Sequence, residues 1–296
     1  MQSYYVIWYR ILDCDTMRFD SDRMAVLTSH FNNLLRCLSL FLLFKESLMA
    51  NDKTVIIDSL AQQLSELTTL FKQGRHEQAL AVGNALAARH PEEVMIFNLL
   101  GAINGSMGRY HEAAEQLHHA IKLNPEFADL HNNLGNVLTR IERFEEAVEC
   151  FIKAVTLNPG LSSAYRNLSV ALNDFGNSLS AEGNHKDAII NYLKALHITP
   201  DFADAQNNLG NALIAIDEYK EAGNCFSKAI ELQPDFAEAH GNLGIVLTQQ
   251  SNMDGAIECF QRAIEINPSY ADGYYNLGIV YAALGELGNA ITHYRK

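Results

Sequence analysis

Apolar residues recur at helical spacing in short bursts along the chain, as at Leu209, Leu213 and Ile216, with polar residues between them. A return every three to four residues marks one face of an α-helix, because 3.6 residues complete a turn. The bursts come in pairs, so the pattern predicts units built of a short helix, a turn and a second helix.

The punctuation is periodic too. All six prolines, Pro91, Pro125, Pro159, Pro200, Pro234 and Pro268, hold one place, at spacings of 34, 34, 41, 34 and 34 residues. Proline lacks a backbone N–H and ends helices, so one per period marks where each unit stops. Twelve residues before the prolines stand Ala79, Ala113, Ala147, Ala188, Ala222 and Ala256; Ala290 continues the series. Twelve before those alanines stand Gly101, Gly135, Gly176, Gly210, Gly244 and Gly278. A second alanine lies five before the proline, at Ala120, Ala154, Ala195, Ala229 and Ala263, and an aromatic three before that, at Phe151, Tyr192, Phe226 and Phe260. Small residues let two helices approach closely where they cross. The aromatic is expected to fill the space between neighbouring units.

A fixed period of 34 with these residues resembles the tetratricopeptide repeat family. Asn208-Leu209-Gly210-Asn211 with Tyr219, Ala222, Phe226, Ala229 and Pro234 carries the signature at nearly every place, and the resemblance covers about residues 60–296. It implies an all-α, right-handed superhelical solenoid of antiparallel helix pairs. Two departures stand out. The family's tryptophan place holds Phe97, His131, Tyr165, Gln206, His240 and Tyr274. The unit starting near residue 60 has Leu67 for glycine and Leu86 for alanine, as terminal units that cap a stack often do.

Five full units are assigned within 94–270, at 94–127, 128–161, 162–202, 203–236 and 237–270, and an incomplete one at 271–296. Residues 49–93 form a helical N-terminal part that includes the degenerate unit. The seven extra residues of 162–202 fall between Asn167 and Gly176, inside a first helix. Seven residues are about two turns, so a lengthened helix is expected rather than a bulged loop. Residues 1–48 lie outside the repeat and are expected to be untranslated or disordered. Their apolar run 34–44, interrupted by Arg36, is too short to span a bilayer. Lys45-Glu46 can be encoded by a purine-rich stretch two codons before Met49, which fits a natural start at Met49. The incomplete last unit leaves the apolar stripe of Ile291 and Tyr294 uncapped, so a fragment, or a chain continuing into a further domain, is expected.

Composition narrows the function. A net charge of −13 argues against a nucleic-acid partner, which needs clustered Lys and Arg. No membrane contact is expected either. Of five cysteines, Cys150, Cys225 and Cys259 hold equivalent places in their units, about 10 Å apart at helix-packing distance and beyond disulfide reach. Reduced thiols and a cytoplasmic setting follow. No nucleophile elbow, zinc-binding helix or phosphate loop is present, so no enzyme, metal or cofactor is expected. His118 and His119, adjacent on a helix, point apart and read as surface or packing residues.

What remains is the surface. Asn133, Asn167, Asn208, Asn242 and Asn276 share one place on successive first helices, although asparagine is a mediocre helix former. Four residues before them, on the same helix face, stand Asp129, Ser163, Asp204, Glu238 and Asp272. In the resembled family the first helix lines a concave groove, which implies two ladders along it. A carboxamide both donates and accepts and so can pair with the backbone of an extended peptide. The carboxylates would favour basic or hydroxyl-bearing side chains. Structural alternatives stand beside both: acids in a first turn suit the helix dipole, and the asparagines can bond across neighbouring repeats.

The segment Phe202-Ala203-Asp204-Ala205-Gln206-Asn207-Asn208-Leu209-Gly210-Asn211 is also similar to the repeat region of O-linked N-acetylglucosamine transferases and of bacterial chains whose repeats precede a glycosyltransferase or sulfotransferase domain. The sequence therefore predicts a scaffold that binds a protein or extended peptide in its groove. The alternative is the substrate-recruiting region of such a transferase.

Overall fold

The computed structural model describes residues 60–296; the expectations for 1–48 and for the start at Met49 lie outside them. The chain divides into two compact units, 1–66 and 67–296. Of the first, only the helical residues 60–66 are described; the second is the repeat array. The described residues contain fourteen helices and no strand. α1 covers residues 60–72. It is followed by α2 (His76–Arg89), α3 (Val94–Ser106), α4 (Tyr110–Leu123), α5 (Ala128–Arg140), α6 (Phe144–Leu157) and α7 (Ser162–Ala181). Then come α8 (His185–Ile198), α9 (Ala203–Ile214), α10 (Tyr219–Leu232), α11 (Ala237–Gln249), α12 (Met253–Ile266), α13 (Ala271–Ala283) and α14 (Leu287–Tyr294).

From α3 onward each first helix packs chiefly on the second helix that follows it, and each second helix packs on the next first helix. This is the all-α solenoid of antiparallel helix pairs that the repeat pattern predicts. The proline falls one residue past the C-cap. The N–H of Asn158, for example, still donates to the Ala154 carbonyl before Pro159 ends the helix.

The turn inside each pair has a fixed chirality. One residue per unit, seven after the glycine place, has positive φ: Gly74, Gly108, Glu142, Gly183, Asp217, Ser251 and Gly285. Four are glycine; Glu142 (φ 60°), Asp217 (65°) and Ser251 (61°) are not. A left-handed backbone costs an L-residue about 1–2 kcal/mol, against about 0.5–1 kcal/mol for glycine's greater freedom when unfolded. Glu142→Gly is therefore expected to stabilise the chain by about 0.5–1 kcal/mol. Asp217→Gly should gain least, because aspartate tolerates this region. Urea unfolding of the two single variants checks it, and destabilisation by both would refute it.

The core is a series of small-to-large pairs within each unit. A Cβ placed on Gly135, Gly176, Gly210 or Gly244 would meet the ring of Phe151, Tyr192, Phe226 or Phe260 at 2.5–2.7 Å. Each ring lies sixteen residues after its glycine, on the second helix. The aromatic thus sits first on the glycine of its own unit, a contact that the sequence expectation of a space filled between units did not include. The contact to the next unit is also present, since Ala222 and Phe226 cluster with Val246. The degenerate first unit obeys the same rule in reverse. Leu67 takes the glycine place and Gly83 the aromatic place, and a Cβ on Gly83 would lie 3.7 Å from the Leu67 side chain. Both are buried, so the volume is kept while its source changes helix.

The seven extra residues are helical: α7 has 20 residues where α5, α11 and α13 have 13. Phe175 in the added turns stacks on Phe144 at the start of α6, with centroids 6.4 Å apart. The Thr199 hydroxyl donates to the Ser169 hydroxyl at 3.0 Å, tying the end of α8 to the middle of α7.

Candidate functional site

First helices of successive units touch one another, as α3–α5, α5–α7, α7–α9 and α11–α13 do, and second helices show no comparable contact. Elements that touch lie on the inside of a curved stack, so the first helices line its concave side. The predicted asparagines lie there, and all five are half-buried.

Four of them are tied to the preceding unit. The Asn133 amide donates to Asn98 Oδ1 at 2.9 Å, and Asn167 to Asn132 at 3.0 Å. Asn208 donates to Asn173, and Asn242 to Asn207, both at 3.0 Å. Each bond spans 35 residues. The acceptors Asn98, Asn132, Asn173 and Asn207 are site residues that the sequence reading missed; the adjacent pairs Asn132-Asn133 and Asn207-Asn208 were the available signal. The bond fixes each donor's side chain, while its carbonyl oxygen accepts no hydrogen bond from the described residues. Asn276 has no such rung. Thirty-five residues earlier stands Gly241, and the Tyr270 ring occupies the space a side chain there would need. Burial pushes the Tyr270 hydroxyl above its ordinary pKa, and the nearby Asp272 and Glu238 charges add to this.

The rows do not form one line. On α5 and α9 the residue bonded backward and the residue bonded forward are neighbours in sequence. On α7 they are Asn167 and Asn173, six apart. The insertion therefore moves everything after it seven residues along the helix axis, about 10 Å at 1.5 Å per residue. Asn133 and Asn167 make one row; Asn208 and Asn242 make a second, displaced row. In the second register Asp174, not an asparagine, occupies the row position on α7. Burial raises the Asp174 carboxyl above its ordinary pKa, opposed by the Asn173 hydrogen bond and the charge of Arg140.

The acids differ among themselves. Asp204, Glu238 and Asp272 are exposed and Asp129 is half-buried. Glu238 is engaged, accepting from the Asn207 amide at 3.0 Å, so that Asn207, Asn242 and Glu238 form one network. At the family's tryptophan place, the ring Nε2 of His131 lies 2.8 Å from the Pro125 carbonyl and that of His240 lies 3.1 Å from Pro234. These rings brace the turn into the helix. His119 packs on Phe97, with centroids 4.2 Å apart. Cys150, Cys225 and Cys259 are free and half-buried, and burial pushes the first two thiols up to about 11. No group of metal-ligating side chains occurs among the described residues, and no helix there is long and apolar enough to cross a membrane.

Comparison with known proteins agrees with this architecture. A profile described as a TPR repeat matches residues 101–142, 210–251 and 246–285, and one described as a tetratricopeptide repeat matches 126–200. Together they span more than half of the 296 residues. The chain belongs to the tetratricopeptide-repeat family.

Among solved structures, the C-terminal part of a TPR repeat-containing protein from Cytophaga hutchinsonii is similar, with a TM-score of 0.62 and 18% identity over 78% of this chain and 93% of that one. YrrB, described as a TPR protein with an unusual peptide-binding site, aligns with a TM-score of 0.49 and 20% identity over 64% of this chain and 95% of its own. MamA aligns with a TM-score of 0.46 and 25% identity over 55% and 91%. No curated protein matches the chain.

Proposed function

We propose that this chain is a scaffold that binds an extended protein segment in its concave groove, with the asparagine rows pairing to the peptide backbone. One observation carries the reading. Asn133, Asn167, Asn208 and Asn242, all on the first helices, are each held by a bond to the unit before, and their carbonyl oxygens accept no hydrogen bond from the described residues. A carboxamide fixed in this way is paid for in conformational entropy before the peptide arrives. The exposed Asp204 and Asp272 would favour basic side chains along the same edge, and Glu238 would do so less, since it already accepts from Asn207. Partly buried free thiols fit a reducing compartment such as the cytoplasm. The transferase-recruiting reading rests on the segment from Phe202 to Asn211, and the DNA sequence past the codon for Lys296 decides it: an open frame encoding a nucleotide-sugar-binding fold would establish it.

The rungs separate binding from stability. Each hydrogen bond contributes only about 0.5–1.5 kcal/mol net, so changes must be combined. Asn208, Asn242 and Asn276 replaced together by alanine should weaken capture of an extended partner at least about tenfold. Asn276→Ala alone should leave the melting temperature unchanged, because no rung is lost, while still weakening capture slightly. Changing Asp204, Glu238 and Asp272 to their amides should reduce capture of basic partners most. Pull-down and peptide-array binding, with thermal unfolding in parallel, is the measurement. Unchanged capture by the alanine triple variant, with only a lowered melting temperature, would make the rows purely structural.

A further inference from the structure

The seven added residues leave two asparagine rows along the first helices, and α7 carries the step between them. Asn167 ends the first row there, and Asn173, which accepts from Asn208, starts the second. Between them stands Val170, an apolar side chain that is 41% exposed. Its place is polar on both neighbouring first helices. Counted in the first register it matches Asn136 of α5, and counted in the second it matches Asp204 of α9, 34 residues away in each case. Asn167, Val170 and Asp174 follow at intervals of three and four residues, so they share one helix face.

The step bears on the path of a bound chain. Asn133 and Asn208 lie two units apart, about 20 Å at helix-packing distance, and about 10 Å apart along the helix axis. A straight extended segment that reaches from one row to the other crosses α7 about halfway between residues 167 and 174. There it meets Val170, whose side chain offers no hydrogen bond, and it misses the α7 position of both rows by about 5 Å. Two segments, one on each row, miss neither. Tracks about 10 Å apart leave room for both, since extended chains paired in a sheet lie only about 5 Å apart. The edges of the rows differ as well. The second place of each first helix holds Asp129 and Ser163 beside the first row, and Asp204 and Glu238 beside the second. Asp129 is half-buried, whereas Asp204 and Glu238 are exposed.

We propose that the groove holds two extended segments from separate partner chains at once, one on Asn133 and Asn167 and the other on Asn208 and Asn242, with Val170 as the divider. The proposal rests on the groove reading above and sets the number of segments bound. The second segment is basic, drawn by the exposed carboxylates of Asp204 and Asp272; the first carries no such bias. Because the tracks select by different charge, they take different partners, and the chain brings those partners side by side over α7.

The test uses the full chain and an array of random eight-residue peptides, each about 27 Å long when extended, enough to cross three first helices but not both rows. Peptides captured by the parent should divide into two sets. One set should weaken at least about tenfold when Asn133→Ala and Asn167→Ala are combined, and should still bind the variant combining Asn208→Ala and Asn242→Ala. The other set, richer in Lys and Arg, should do the reverse. The set that each variant retains shows that its fold survives. On the parent, one peptide from each set, carrying different fluorophores, should bind without displacing the other, and calorimetry should count two peptides per chain. That measurement needs no variant, so misfolding cannot imitate it. Mutual displacement with one peptide per chain overturns the proposal; the groove reading then stands if the asparagine substitutions still weaken that peptide. Peptides that all depend on one row overturn the proposal as well. Capture unaffected by either pair of substitutions overturns both the proposal and the groove reading, as does capture of no peptide.

Discussion

Replacing Phe226 by alanine is expected to lower the unfolding free energy by about 3–5 kcal/mol, the usual cost of emptying a large buried aromatic site. The ring is fully buried, fills the space left by Gly210, and reaches Val246 in the next unit. The loss therefore falls on one unit and on one interface between units. In a solenoid, where stability is close to a sum of unit and nearest-neighbour contributions, that damage should also broaden the transition by uncoupling α3–α8 from α11–α14. Gly210→Ala attacks the same contact from the other side and should cost about 1–3 kcal/mol through overpacking. Urea unfolding followed by circular dichroism measures both. A loss below about 1 kcal/mol for Phe226→Ala would mean that the site collapses easily and that the pair is not the main contact of the unit.

Deleting residues 169–175 should join the two asparagine rows into one. The deletion leaves Asn167-Leu168-Gly176, which restores the regular unit and the 34-residue period. The cost to the fold should be modest: the Phe144–Phe175 stack, the Thr199–Ser169 bond and the Asn173–Asn208 rung are lost, the last because Arg166 then stands where Asn173 stood. The effect on binding should be large. Asn208 and Asn242 would fall level with Asn133 and Asn167, so a peptide following the Asn208 row would cross the first units about 10 Å from its present path. Peptides selected by the parent along the displaced row should weaken at least about tenfold, while helical content drops by only about two turns. Fluorescence anisotropy with a peptide selected by the parent reads the first effect and circular dichroism the second. Unchanged affinity would show that the offset does not set the path of the bound segment.

The fold was legible because its constraints are single residues at single places. Proline ends a helix wherever it stands, and a glycine facing a buried ring cannot be exchanged for anything larger, so both recur visibly. The asparagine row was legible for the same reason. Its partners were not, because Asn132 and Asn207 look like spare neighbours of Asn133 and Asn208 until a helix 35 residues away comes alongside. Asn173 was harder still: it falls into register only when α7 is counted backward from Gly176 instead of forward from Ser162. The first unit looked degraded because Leu67 was compared with glycine alone. The compensating Gly83 lies sixteen residues later on another helix.

That exchange of bulk between Leu67 and Gly83 limits how such a gene can be rearranged. Joining α1 to a regular second helix such as α4 would set Leu67 against Leu117, two large side chains where there is room for one. Joining α3 to α2 would set Gly101 against Gly83 and leave a hole. Crossovers that fall between units keep each complementary pair intact, whereas crossovers at the turn within a unit mix incompatible halves of the first unit with the others. The helix pair, cut at its prolines, is thus the smallest piece that can be duplicated or shuffled without repacking its core.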